Sequence, residues 1–183
     1  LQQYYDRPRT GNWAWRLGGT VLQEGNDGYA IQPEATVHWF PRDDLDLRLL
    51  AYPLWSQDWL LREEGTLFTS YRRRQMRLDL DLGWYPFSRH ELRLKAQWIG
   101  IEAREPTPYR IGAGGHLVES DDETAPFTVN SFGLQLRYRY EFGPQRELYV
   151  VYGRGGQAQA LQQPGDYRGL GDLFGDIGEL RDT

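Results

Sequence analysis

Apolar and polar side chains alternate with a period of two along residues 132–142. The sequence there is FGLQLRYRYEF, with apolar or aromatic residues at every even position and glycine, glutamine, arginine and glutamate at the odd ones. This alternation predicts a β-strand with one apolar and one charged face. A soluble sandwich hides the apolar face in its core, whereas a transmembrane barrel turns it outward to lipid and the charged face inward.

The same pattern recurs along the chain and predicts seven strands. They cover about residues 12–22, 29–40, 44–55, 66–86, 91–103, 130–142 and 147–154, and long loops are expected at 57–65, 105–128 and 155–183. The links near Pro41, Pro86 and Pro144 are short and combine aromatics, a proline, a basic residue, an acid and a leucine. Short turns that alternate with long loops are typical of outer-membrane barrels. We therefore predict an all-β, antiparallel, up-and-down transmembrane β-barrel.

An odd number of strands indicates a segment of a larger barrel, because closed single-chain bacterial barrels of this type have an even number. We expect a returning strand after Thr183 and interpret residues 1–10 as a link from an earlier strand. The predicted strands around Leu17 and Val150 would then be unpaired edges. The missing strands would come from the rest of the same polypeptide or from another chain. Hydrogen bonding between these two edges in a closed seven-strand ring would contradict this hypothesis.

Composition narrows the function classes. The 183 residues indicate one domain; they include no cysteine, so disulfides and thiolate metal sites are excluded. The net charge of -5 argues against nucleic acid as a partner. No run of about 18 apolar residues exists, which excludes a transmembrane helix. The mean hydropathy of -0.70 is compatible with barrel strands, in which every second residue is polar.

Several motifs carry a family resemblance over nearly all of the chain. They are WFPRDDL, SYRRRQMRLDLDLGWYP, HELRLKAQW, YRIGAGGHLV, GLQLRYRYEFGP, LYVVYGRGG and GLGDLFGDIGELRD. With these motifs the chain resembles the C-terminal barrel region of a bacterial outer-membrane family of unknown function, whose members carry an N-terminal domain similar to carbohydrate-binding module family nine. The resemblance implies a Gram-negative outer-membrane location and a terminal strand after the GELRD-like stretch, which this chain lacks.

Three sets of side chains are candidates for function at a membrane. The first is a charged ladder that would line the lumen, either as mutually neutralising ion pairs or as a pore wall that selects solutes by charge. The second is an apolar band facing lipid, and the third is a set of aromatics at its interfaces. The ladder comprises Glu34, Asp46, Arg48, Arg77, Asp79, Asp81, Arg93, Lys95, Arg137, Arg139 and Glu141. The lipid-facing residues are Met76, Leu78, Leu80, Leu82, Leu92, Leu94, Leu134, Leu136, Leu148 and Val150, and the interface aromatics are Trp13, Trp39, Trp55, Trp84, Trp98, Tyr140 and Phe142.

Three consecutive arginines, Arg72, Arg73 and Arg74, precede the predicted lipid-facing Met76 on the side of the long loops. Guanidinium groups bind phosphate through two hydrogen bonds, so these residues are candidate contacts for lipopolysaccharide phosphates. Exposure to water is the alternative. The acids of 119–123 and of the tail, Asp172, Asp176 and Glu179, could bind a divalent cation, although such acids are far more often solvated.

No catalytic or metal-ligating constellation is predicted, and no cofactor. The histidines His38, His90 and His116 have no ligand-like spacing. Ser56, Ser70, Ser88 and Ser131 lie near strand ends without an evident base. We therefore expect an outer-membrane barrel module for transport or surface anchoring, linked to a carbohydrate-binding-like domain, with outer-membrane lipid and lipopolysaccharide as partners. The alternatives are a soluble β-barrel that binds a small apolar ligand and an outer-membrane enzyme.

Overall fold

The computed structural model describes residues 1–26, 28–161 and 169–180, without the side chain of Glu179. These residues form nine strands followed by one short helix and a 3-10 turn, so the predicted all-β antiparallel class is confirmed. The strands are β1 (Gln2–Thr10), β2 (Trp13–Glu24), β3 (Gly28–Arg42), β4 (Leu45–Arg62), β5 (Leu67–Phe87), β6 (His90–Ile111), β7 (Leu117–Glu119), β8 (Phe127–Gly143) and β9 (Arg146–Leu161). The helix α1 spans Leu170–Gly175, and the 3-10 turn spans Asp176–Glu179.

All nine strands belong to one antiparallel sheet that is not closed. Consecutive strands pair in the order β1, β2, β3, β4, β5, β6, β8, β9, and the short β7 adds to the end of β6. The edges of the described sheet are therefore β1 and β9. Leu17 is not at an edge, because it pairs with Tyr5 on one side and Ala35 on the other. Val150 pairs with Tyr138, and the described strands contain no seven-strand ring.

The strands extend well beyond the alternating pattern that predicted them. Residues 2–10 form β1 instead of a link, and β4, β6 and β9 continue through parts of the predicted loops 57–65, 105–128 and 155–183. Two bulges explain part of the difference: the register shifts between Ser56 and Trp59 on β4, and again at Glu105 on β6, where φ is 49°. A bulge adds one residue to one strand and reverses which positions face each side. The sequence alternation is lost there although backbone pairing continues.

The strands are inclined to the line of turns that joins them. Seven residues lie side by side in one hydrogen-bonded row across the sheet: Leu17, Ala35, Ala51, Leu78, Trp98, Phe132 and Gly156. The strands that leave the tight turns begin progressively further from this row: Trp13 by four residues, Leu45 by six, His90 by eight and Arg146 by ten. The offset grows by two residues from each of these strands to the next, and because they are every second strand of the sheet, it grows by one residue per strand. With a rise of about 3.4 Å per residue and a strand spacing of about 4.8 Å, the tilt is about 35°.

Helix α1 packs on one face of the sheet, against β6 and β8. Leu173 is buried there, and Phe174 lies edge-on to the indole of Trp98 at 5.0 Å between ring centroids. The indole N–H of Trp98 donates to Oδ1 of Asn130 at 2.8 Å, and Nδ2 of Asn130 donates to the carbonyl oxygen of Leu173 at 2.7 Å. This chain of hydrogen bonds fixes α1 to the sheet. Within the described residues, no helix has the length and apolar character needed to cross a membrane.

Candidate functional site

The charged face of the sheet is its concave face. Residues of five strands, β4, β5, β6, β8 and β9, line one groove of about 770 Å³ on this face, so the sheet curves toward it. Arg48, Arg77, Asp79, Asp81 and Lys95 are among its lining residues. We call this side the inner face and the opposite, largely apolar side the outer face. The curvature thus brings together charged residues that are far apart in sequence.

Cross-strand ion pairs occupy the middle of the inner face. Arg48 of β4, Asp81 of β5 and Lys95 of β6 are register partners, and Asp81 pairs with Arg48 and, at 3.8 Å, with Nζ of Lys95. Asp79 accepts from Nη2 of Arg77 at 2.8 Å and from Nε2 of Gln97 at 2.7 Å. These charges neutralise one another across three strands.

A second ionic cluster lies near the tight turns and is centred on Glu91. Its carboxylate is buried, with the residue 5% exposed, and it pairs with Arg93, with Arg139 at 3.0 Å and with Arg137 at 3.9 Å. Arg139 also pairs with Glu147 of β9 at 3.0 Å. Strands β6, β8 and β9 are therefore tied together by one buried carboxylate and its arginines.

The structure brings most of the predicted ladder onto this concave surface. Glu34 lines a groove of about 520 Å³ between β1 and β4, and Asp46 lines one of about 300 Å³ between β3 and β6. Glu141 is the register partner of Glu147. Sequence reasoning missed Glu91, Glu147 and the pair between Arg16 and Asp6, which are 2.5 Å apart. The alternation in HELRLKAQW already places Glu91 on the side of Arg93 and Lys95, so that residue could have been found.

An aromatic cluster crosses the inner face at the long-loop end. Tyr71 and Phe127 are buried with ring centroids 5.2 Å apart, and Trp59 packs against both. The hydroxyl of Tyr71 donates to Oε1 of Glu63 at 2.9 Å. Burial and then this carboxylate raise the pKa of Tyr71 well above its ordinary value. The cluster therefore holds a neutral phenol at the long-loop end of the inner face.

The three consecutive arginines lie on opposite faces. Arg73 is on the inner face, where its guanidinium stacks on Trp59 at 4.6 Å and pairs with Glu24 at 2.8 Å. Its side chain is only 13% exposed, and burial lowers its pKa. Arg72 and Arg74 alternate with it and are exposed on the outer face. Only these two could meet a surface outside the sheet.

The predicted apolar band lies on the outer face. Leu148 and Val150 are 51% and 54% exposed on the edge strand. The other members of the band, Met76, Leu78, Leu80, Leu82, Leu92, Leu94, Leu134 and Leu136, are partly exposed. Most of the predicted interface aromatics are exposed near its ends, and Trp13 and Trp39 stack at 5.6 Å. Trp98 differs. It is 4% exposed because α1 covers it, so it lies beneath a helix and not at an open surface.

The histidines and serines of the chain do not converge on one site. His38 lines inner-face grooves, Nδ1 of His90 lies 2.6 Å from the hydroxyl of Tyr138, and His116 lies in the turn before β7. Ser70 donates to Asp58, and Ser56 is buried opposite Arg73. In the part of the chain that the structure describes, no group of three histidine or acidic side chains could hold a metal ion.

The inner face is thus a concave, ion-paired surface, and the outer face is an apolar band with aromatic ends. Comparisons with known proteins add no family to this description: no family model, curated protein or solved structure matches the chain. The resemblance to the outer-membrane family stays a prediction.

Proposed function

We propose that this chain forms part of the wall of a transmembrane β-barrel in a bacterial outer membrane, with its charged inner face lining a polar lumen. The observation that carries the proposal is the direction of curvature. The charged face is concave, and the apolar face is convex and, outside the part that α1 covers, open to its surroundings. Lipid accepts the apolar face, and a water-filled lumen accepts the ion pairs.

The dimensions of the sheet support the same proposal. The tilt of about 35° lies at the low end of the range for membrane barrels. On β5 the outer-face apolar residues run from Met76 to Trp84. Eight residue steps at about 3.4 Å and this tilt give a band about 22 Å tall, close to the height of about 25 Å that spans the hydrocarbon of an outer membrane.

The alternative of a barrel that encloses a small apolar ligand requires the opposite curvature. Its leucine and tyrosine face would line the interior, and its charged face would meet water. Here the residues that line the shared groove are mostly charged or polar, and Leu148 and Val150 lie on the other side. The observed curvature therefore favours the membrane proposal over this alternative.

The barrel needs further strands beyond β1 and β9. In lipid, each unpaired backbone group at an open edge costs several kcal/mol, because no water is present to pair it. We propose that these strands come from the rest of the same polypeptide or from another chain. With the lumen completed, the ion-paired wall conducts small polar solutes or serves as the anchor of a surface domain.

Site-directed labelling tests which face meets lipid. The chain has no native cysteine, so single variants Leu136→Cys and Gln135→Cys report on neighbouring residues of β8 that point to opposite faces. In vesicles that contain the completed protein, a lipid-confined thiol reagent should label position 136, and a water-soluble reagent should label position 135. The proposal would be overturned if the lipid-confined reagent labelled position 135 and did not label position 136.

Single-channel recording separates the two roles of the lumen. If the completed protein is a pore, bilayers that contain it should show discrete current steps, and replacing Lys95 and Arg137 with glutamine should shift its ion selectivity toward cations. An insertion-competent protein that gives no current would identify an anchor with a closed lumen.

A further inference from the structure

The outer face changes from apolar to basic within one step along β5. Met76 ends the continuous run of apolar outer residues, and Arg74 and Arg72 follow on the same face. Arg72 is the register partner of Arg104 on β6. Three guanidinium groups therefore stand on two neighbouring strands directly above the apolar band.

Helix α1 covers the corresponding polar positions on β6 and β8 but leaves the two arginines of β5 open. Glu102 and Asn130 are 2% and 3% exposed beside α1, and Glu102 pairs with Arg104 at 2.9 Å. Arg72 and Arg74 are exposed. At this level the outer face is therefore covered over β6 and β8 and open over β5, where Arg72 and Arg74 lie.

Glu105, the ionic partner of Arg72, competes only weakly with an external anion for the Arg72 guanidinium. Arg72 and Glu105 are 3.0 Å apart, but their side chains are 65% and 63% exposed, and exposed pairs of this kind contribute little. On the other side of Arg74, its register partner on β4 is Trp55, which is 48% exposed. Tryptophan beside arginine is a typical combination at a membrane interface.

We propose that Arg72 and Arg74, supported by Arg104, bind the phosphate group of a phosphorylated membrane lipid of the lipid A class. The proposal rests on the proposed function, because the arginines meet head groups only if the apolar band lies in lipid. Each planar guanidinium can donate two hydrogen bonds to phosphate oxygens. Arg73 takes no part, since it is buried on the inner face with Glu24.

A lipid-binding assay with matched charge removal tests this proposal. Fluorescent bisphosphorylated lipid A is titrated against the completed protein, this chain together with the strands that close its barrel, in phosphatidylcholine vesicles. Each interfacial arginine adds to the affinity for an anionic lipid surface, so removing both in R72Q/R74Q should weaken lipid A binding by about thirtyfold. The control R77Q/K95Q removes the same charge from the inner face and should bind as the unmodified chain does. Lipid A without phosphates should bind the unmodified chain no better than lipid A binds R72Q/R74Q.

Each outcome decides the proposal. Equal weakening in both variants, equal binding of dephosphorylated lipid A, or displacement by inorganic phosphate at the concentration of the lipid would overturn it.

Labelling at Leu136→Cys in the same vesicles reports insertion separately. If position 136 is not labelled, the proposed function fails; if it is labelled and R72Q/R74Q still binds fully, only the lipid contact fails. Should R72Q/R74Q not fold, R72K/R74K replaces it, with intermediate weakening expected because lysine keeps the charge without the paired donors.

Discussion

Replacing Glu91 with glutamine tests whether one buried carboxylate holds β6, β8 and β9 together. The change keeps the size of the side chain and removes its charge. Glu91 then no longer compensates Arg93, Arg137 and Arg139, which stay in place around it. We expect a lower free energy of unfolding, because the neutral amide binds these guanidinium groups less strongly and they repel one another.

The size of the effect follows from the burial of each partner. Removing one member of a fully buried ion pair costs about 3–5 kcal/mol. The carboxylate here is 6% exposed, but the side chains of Arg93, Arg137 and Arg139 are 50%, 43% and 33% exposed, so water screens part of the loss. Arg139 also retains Glu147. We therefore expect Glu91→Gln to lower the free energy of unfolding by about 2 kcal/mol.

Glu147→Gln is the matched control, because Glu147 pairs with the same Arg139 at the same distance but is 31% exposed. It should change the free energy of unfolding by less than about 1 kcal/mol. Both variants are measured by urea-induced unfolding followed through tryptophan fluorescence, in low salt and in about 0.5 M salt, where a buried pair is screened less than an exposed one. If Glu91→Gln costs no more than Glu147→Gln, Glu91 does not organise the cluster and the reasoning fails.

Two further predictions concern the long-loop end. The guanidinium of Arg110 and a serine hydroxyl lower the pKa of Asp122 to about 2. The stability that these contacts with the Asp122 carboxylate contribute is therefore fully present above the ordinary aspartate pKa and is lost as pH falls through about 2. Carbon-13 titration of the Asp122 carboxyl should give a midpoint near 2, and a midpoint near 4 would contradict the ion pair. Asn130→Leu removes the acceptor of the Trp98 indole and the donor to α1, so we expect a loss of about 2 kcal/mol and faster hydrogen exchange in α1. Exchange in α1 at the unmodified rate would show that these hydrogen bonds do not hold the helix.

The alternating pattern of the sequence was sufficient to predict strands and tight turns. Residues 132–142 and 76–84 alternate without interruption, and both lie inside long antiparallel strands. The turns predicted near Pro41, Pro86 and Pro144 connect β3 to β4, β5 to β6 and β8 to β9. Such features are local, since a side chain in a strand points to the face opposite its neighbours whatever it packs against.

Other properties depended on contacts that leave no local period. Residues 2–10 read as a link because their polar and aromatic residues do not alternate cleanly, yet they pair with β2 along most of their length. The bulges at Ser56 and Glu105 change the phase of the alternation, so the ends of β4 and β6 could not be read from it. Backbone hydrogen bonds build a strand without any particular side chain.

By itself the sequence determined seven of the nine described strands, the tight turns and the presence of one charged and one apolar face. Only the tertiary structure decided which face is concave, that Glu91 meets arginines from two strands, and that Trp98 lies beneath α1. The physical reason is distance along the chain. Curvature, ionic clustering and burial by a helix join residues that are tens of positions apart, and they depend on the register of every strand in between.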